Sequence, residues 1–417
     1  MVLLTTFSKY FHPNSQHAPS RRYDLDWLRV LAFGLLIFYH TGMLYVQNWG
    51  FHLKSQYLSE NLEVIMLLVN PWRMPILWLI SGIAIRFVLA KVSVLHFIKW
   101  RSYRLLLPLL FGVLVIVPPQ LYYEMTFNGD LKLSYWQFYQ LFFDLQNPVF
   151  ESYQPGIWPH IDVNHLWYLR ELWSFSLYLL VILPLLNSRT VELIVNWIAI
   201  QHGVLILLIL TLPILAIQFS MEETRKALGF LFLIYGYLLG WHQELWHKLK
   251  INSINLLVVG IICYLIIAVF YKTIWLNQSE QANQTLLIIG SVFHGFDRLV
   301  WGAAVLGLGY RFLNKPSVAL SYLNGAVYPF YILHQTIIIA AAYELSKFQL
   351  GAVFEPLLVL VITFSGCNLA YEIIRRTDFL RPFFGAKIRK SYSRITLFVA
   401  SWSATILVFV IALEILL

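Results

Sequence analysis

The sequence predicts an all-α, polytopic transmembrane protein of about 10–11 spans with its N-terminus in the cytoplasm, and three observations predict it. The 417 residues are 59% hydrophobic and 12% charged, whereas a soluble domain is about half apolar and a quarter charged. Apolar runs of roughly 20 residues, the length that crosses a hydrocarbon core about 30 Å thick, recur from end to end. Lys and Arg collect in alternate segments between those runs, as the positive-inside rule requires. The net charge of +9 then belongs to basic cytoplasmic loops and not to a nucleic-acid surface.

In chain order the runs fall near 27–47, 65–90, 105–121, 165–186, 202–219, 227–241, 254–272, 285–312, 319–345, 352–374 and 396–417. Pro71 and Pro75 are expected to break or kink the second, because an interior proline removes a backbone donor. Residues 1–22 lack the charged start, sustained apolar core and small-residue cleavage site of a secretory signal, and are read as a cytoplasmic tail. With that tail inside, the inner segments hold 19 Lys and Arg, and the outer ones hold only Lys54, Lys132, Arg225, Lys226, Lys272 and Lys347. The longest outer loop, 122–164, is acidic and aromatic. It reads either as a surface that docks a sugar ring or as an interfacial cover anchored by its aromatics. Cys263 and Cys367 lie inside apolar runs, so neither a disulfide framework nor a cysteine metal site is expected.

The informative residues are the ionisable ones at bilayer depth, where a charge costs at least a few kcal/mol and usually faces the protein interior. The first span, "YDLDWLRVLAFGLLIFYHTGM", carries Arg29 and His40. Eleven residues of helix rise roughly 16.5 Å and turn about 20° past three full turns, so both side chains share one face. An arginine at the cytoplasmic mouth pairs well with phosphate. A histidine deeper in the membrane can accept and return a proton. A coenzyme A thioester has matching proportions, with phosphates at one end, a long arm and a thioester at the other. The alternative readings are an i,i+3 pair between Arg29 and Asp26 and a His40 that merely bonds a neighbouring helix.

Further polar residues extend this set. Arg101 and Arg104 in "KWRSYRLLLP" lie three apart on one helical face, as a phosphate clamp or as plain flanking charge. Ser81-Gly82 in "ISG" reads chiefly as a close helix contact, with donors near a reacting carbonyl as the alternative. "HLWYLREL" brings His165, Arg170 and Glu171 to the outer end of the fourth span. "FHGFDRLVWG" clusters His294, Asp297 and Arg298, although adjacent residues diverge by about 100°. "YPFYILHQT" places His334 in the ninth span. No HExxH helix, GxSxG elbow or P-loop occurs, and the histidines are scattered singly, so no metal is expected.

Five of these stretches resemble the acyltransferase-3 family of integral membrane acyltransferases, in the family's order: the Arg, ten-residue gap and His of "LDWLRVLAFGLLIFYH", the "ISG", the Arg-x-x-Arg of "RSYRLLLP", "HLWYLREL" and "YPFYILHQT". The likeness is closest to glucan biosynthesis protein C and related succinyl- or acetyltransferases. It implies transfer of an acyl group from cytoplasmic acyl-CoA (acetyl-CoA or succinyl-CoA) to a hydroxyl of an extracytoplasmic carbohydrate acceptor. His40 becomes the catalytic histidine, Arg29 its essential companion, and Arg101 and Arg104 the donor-binding pair. His165, Arg170, His334, Asp297 and Arg298 are expected at the acceptor, with Asp26 and Ser81 supporting. On this reading the acyltransferase domain covers 23–390 and 391–417 is an additional C-terminal helix. The expected setting is a bacterial inner membrane, with lipid and carbohydrate as partners, no nucleic acid, and the oligomeric state open. Two other classes fit the composition: a transporter or flippase, marked by accumulation without chemical change, and a glycan-binding scaffold, marked by binding without turnover.

Overall fold

The computed structural model describes residues 21–154, 156, 158–276, 284–387 and 402. All but the last two residues of the N-terminal tail, and nearly all of the expected eleventh span, lie outside the described residues. Helix α1 (Tyr23–Met43) places Asp24 and Asp26 in its first turn, where carboxylates meet the positive end of the helix dipole. It stops four residues before the expected end. Lys54 takes two carbonyls there, those of Met43 and Val46, at 2.8 Å each, which satisfies acceptors that a helix terminus leaves open. His40 therefore sits in the last turn of α1.

A strap, 44–59, leads to α2 (Glu60–Leu67) and α3 (Asn70–Leu89). The expected break falls between these helices, ahead of Pro71, while Pro75 lies inside α3 without ending it. Pro71 occupies the first turn of α3, where its missing N–H costs nothing. Helix α4 (Val94–Phe111) continues through a π-helical turn, Gly112–Ile116, into α5 (Pro118–Asn128). Prolines account for this irregularity, since Pro118 lacks the N–H that would reach the Leu114 carbonyl. That oxygen accepts instead from the Tyr139 hydroxyl at 2.8 Å. The Gln120 N–H bonds the Val117 carbonyl at 2.8 Å, and the Ile116 carbonyl accepts from Thr336 at 2.6 Å.

The remaining helices are α6 (Tyr135–Leu141), α7 (Trp167–Leu186), α8 (Arg189–Ile200), α9 (Gly203–Ser220), α10 (Thr224–Leu239), α11 (Gln243–Phe270), α12 (Gln284–Phe312), α13 (Val318–Leu345) and α14 (Gly351–Arg376). Among the described residues no strand occurs, only an isolated bridge between Trp158 and Ile161. Eight helical stretches there are long and apolar enough to cross a membrane, so the chain is an all-α polytopic protein. They cover eight of the eleven expected spans. The expected first and sixth are the helices α1 and α10, which fall outside that set of eight.

The chain divides into two compact units. The first comprises residues to Ala32, Glu63–Phe97 and Phe175–Leu320. Its core joins Leu25 and Leu28 to Ile76, Ile80, Ile83, Trp246 and Leu306. Helices α3 and α10 touch backbone to backbone. A Cβ added at Gly82 would lie 1.9 Å from the Leu233 carbonyl oxygen, and one at Gly236 2.0 Å from that of Leu79. Gly236 and Gly240 are four apart, the small-residue spacing that brings membrane helices together. Ser81-Gly82 is thus at a packing contact. Arg22 is held by Asp24 through two bonds of 2.8 and 2.5 Å, with its guanidinium over the rings of Trp246 and Tyr310.

The second unit comprises Phe33–Leu62, Ile98–Ser174 and residues from Ser321 onward. One of its cores packs Ile37 and Leu44 of the α1 region against Ile338 and Ile339 of α13 and Val359 of α14. Another lies within the 122–164 loop, where Phe138, Phe142, Phe150 and Ile161 bury one another. His160 stacks on Phe150 at 3.8 Å and donates to the Phe142 carbonyl at 2.6 Å. Much of the loop's aromatic content therefore packs into this core.

Candidate active site

Three histidines predicted from separate motifs converge in the second unit. His40 Nδ1 lies 2.9 Å from His334 Nε2. The two ring centroids are 5.0 Å apart and the planes differ by 15°, so the rings are joined end to end, nearly coplanar, with the lone pair along the bond. The His165 ring meets His334 edge-on at 5.3 Å.

The direction of these bonds follows from backbone chemistry. His334 Nδ1 faces the carbonyls of Tyr331, at 2.7 Å, and Phe330, at 3.2 Å. A carbonyl only accepts, so Nδ1 carries the proton and Nε2 of the neutral ring carries the lone pair. His40 Nδ1 must then be the donor in the His40–His334 bond. The lone pair of His40 consequently falls on Nε2. Helix geometry sets this up, because the Tyr331 carbonyl belongs to the same turn of α13 as His334. Tyr331 is fixed in turn by its hydroxyl, which donates to the His165 carbonyl at 2.5 Å.

His165 is oriented the same way with the opposite nitrogens. Its Nε2 donates to the Ile332 carbonyl at 2.9 Å, and its Nδ1 accepts from Gln120 Nε2 at 3.2 Å. Gln120 also donates to Thr336 Oγ1 at 2.7 Å and accepts from Gln335 at 3.1 Å. His165, His334, Gln335 and Gln120 are all buried, so every bond here replaces one that water would have made.

The arginine pair of α4 is divided by burial. Arg101 is half-buried, beside Tyr168, Tyr328 and Arg104, while Arg104 is exposed. The Tyr328 hydroxyl donates to the Arg104 carbonyl at 2.9 Å, and the neighbouring Ser102 accepts from the Trp173 indole at 2.9 Å. Arg170 is buried and paired with its neighbour Glu171 at 3.3 Å.

Residues 22–372 match the acyltransferase domain model of the acyltransferase-3 family. The chain belongs to that family. No curated protein and no solved structure matches it. The chain is accordingly a multi-pass membrane acyltransferase.

Other residues expected at the site of this acyltransferase belong to the first unit. Arg29 is bonded to Asp26 at 3.3 Å, and Asp26 also takes Arg21 at 3.3 Å, so the expected i,i+3 pair is present. Both lie half-exposed, where such a pair contributes about 0–1 kcal/mol. Asp297 is 1% exposed. Among the described residues, neither of its carboxylate oxygens has a hydrogen-bond partner, nor does Arg298 Nη1 or His294 Nδ1.

Sequence reasoning missed the polar residues that join the histidines. Gln335 and Thr336 follow His334 directly in the quoted "YPFYILHQT", and Asn164 immediately precedes "HLWYLREL". Gln120 is announced only by the "VPPQ" that breaks α4 from α5. His52 and Glu124 carry no motif. They pair through His52 Nδ1 and a Glu124 carboxylate oxygen, although 72 positions separate them in the chain.

Proposed function

We propose that this acyltransferase moves an acetyl or succinyl group from cytoplasmic acyl-CoA to a hydroxyl of an extracytoplasmic carbohydrate, with His40 as general base. The observation that carries this reading is the bond from His40 to His334, which leaves the basic lone pair on Nε2 of a side chain held in one tautomer. A carboxylate plays the orienting role in the familiar serine-hydrolase arrangement. Here a neutral imidazole, itself fixed by a backbone carbonyl, takes that place.

In the proposed step Nε2 takes the acceptor hydroxyl proton as the oxygen attacks the thioester carbonyl. The new C–O bond forms, the C–S bond breaks, and the proton passes to the departing thiolate as free coenzyme A. Arg101 and Arg104 belong to the second unit with His40 and would meet the anionic end of the donor, since guanidinium groups suit phosphate. Arg29 is assigned to the donor by the eleven-residue spacing on α1 and by family resemblance.

The test is His40→Ala, assayed with labelled acyl-CoA in vesicles. General base catalysis supplies typically ~10²–10⁴-fold, so transfer falls at least that far while expression and membrane insertion hold. A variant that still transfers label at the wild-type rate would overturn the assignment.

A further inference from the structure

We propose that His52, Glu124, Asn164 and Gln335 form the docking subsite of the acceptor, and that they select a neutral, polyhydroxylated molecule. This rests on the reading of the chain as a transferase to hydroxyl groups. The four side chains are linked. His52 Nδ1 faces the Glu124 carboxylate, and His52 Nε2 lies 3.0 Å from Asn164 Nδ2 and 3.2 Å from Gln335 Nε2. Gln335 also donates to Asn164 Oδ1 at 2.8 Å. The cluster is continuous with the buried bonds around Gln120 and is the more exposed end of that chain. The His52 and Glu124 side chains are 17% and 23% exposed, whereas Gln335 and His334 are buried.

Three features argue against an incidental polar cluster. The first is backbone conformation. Asn164 has φ of +46°, a left-handed conformation that non-glycine residues seldom adopt and that Asn tolerates better than most. Its carboxamide organises the turn, with Oδ1 accepting from the His165 N–H at 2.7 Å as well as from Gln335. The second is how His52 is held. The strap is anchored by Lys54 on the end of α1, by the Ser55 hydroxyl bonding the buried Glu355 at 2.6 Å, and by the Gly351 N–H bonding the Tyr57 hydroxyl at 3.0 Å. The third is position. The Phe51 ring lies 6.3 Å from His40 and 5.3 Å from His52, so an apolar face separates the proposed base from the polar cluster.

That combination matches the surface of a sugar. A hydroxyl is at once a donor and a double acceptor, and the cluster offers an imidazole, two amides and a carboxylate. The Phe51 face suits the C–H side of a pyranose ring. An acceptor carrying phosphate or carboxylate beside its reacting hydroxyl would meet Glu124 as a like charge, which disfavours it.

The experiment uses the full chain in nanodiscs, labelled acyl-CoA, and the neutral oligosaccharide fraction of the cell envelope as acceptor probe, with the anionic fraction in parallel. Glu124→Gln keeps shape, and Asn164→Gly suits the left-handed backbone while deleting the amide, so both test chemistry apart from folding. Each is expected to raise KM for the neutral fraction about tenfold, the scale of one lost polar contact, with KM for acyl-CoA unchanged. Glu124→Gln should also narrow the preference for neutral over anionic acceptor. Unchanged acceptor KM in both variants, or a parallel rise in the donor KM, would overturn the subsite. Absence of label on either fraction with the wild-type chain would instead overturn the proposed function.

Discussion

The two units differ in how far their buried polar groups are joined. In the second, ionisable and amide side chains are joined in series from Glu124 through His52, Gln335 and Gln120 to His165, and His334 is joined to His40. In the first, they are joined in pairs, Arg22 with Asp24 and Tyr271 with Glu63, and Asp297 is buried beside the half-buried Arg298 with its oxygens lacking hydrogen bonds among the described residues. The first unit is instead organised by bare backbone contact at Gly82 and Gly236. The lesson is that burial alone does not single out a polar residue for chemistry; the proposed site is distinguished by its directed chain of donors and acceptors. Such a chain fixes tautomers, and a fixed tautomer is what proton transfer needs.

Substitutions at four places can break or sharpen that contrast. The largest effect is expected for His40→Ala, at least ~10²-fold in transfer, read from labelled acyl-CoA. Next comes His334→Ala. It removes the acceptor for His40 Nδ1–H and should lower kcat about 10²-fold, short of the ~10⁴ seen when a wrong tautomer is enforced. His334→Gln retains an acceptor oxygen and should recover part of that loss with the donor KM unchanged. If His334→Leu matched the wild type, the positioning role would be lost.

In the first unit the expected damage is to folding and not to chemistry. Gly236→Val drives methyl groups into the Leu79 carbonyl. Overpacking costs typically 1–3 kcal/mol, and backbone cannot yield as a side chain does, so thermal unfolding in detergent should shift down by the upper end of that range. A melting curve superimposable on wild type would show that α3 and α10 are not locked there. The smallest effect is expected for Asp297→Asn combined with Arg298→Gln. The two side chains are not hydrogen-bonded to each other through the Asp297 oxygens, but they are neighbouring opposite charges, so removing one leaves the other uncompensated, whereas removing both is often neutral. The double variant should transfer acyl groups within about twofold of wild type, with each single variant less stable than the double.

Much of this was legible in the sequence, for physical reasons. Membrane helices must satisfy their backbones internally, so hydropathy alone locates eight spans that the structure contains. His40, His165 and His334 were singled out because an ionisable group is conspicuous in an apolar run. The connecting residues were not, because Gln, Asn and Thr are uncharged and unremarkable near a span end. Nor does any local pattern announce that His52 meets Glu124 across 72 residues. The end of α1 was placed four residues too late for a related reason. Helix length was judged by apolarity, whereas at the observed end Lys54, eleven residues on, captures the Met43 carbonyl.

The central claim is that His334 holds the basic lone pair of His40 on Nε2, and imidazole nitrogen resonances report this directly. The full chain in nanodiscs, with nitrogen-labelled histidine and His40 assigned by its loss in His40→Ala, should show a protonated Nδ1 and an unprotonated Nε2 at neutral pH. That pattern should be scrambled in His334→Ala. A His40 protonated on Nε2 in the wild-type chain would contradict the account.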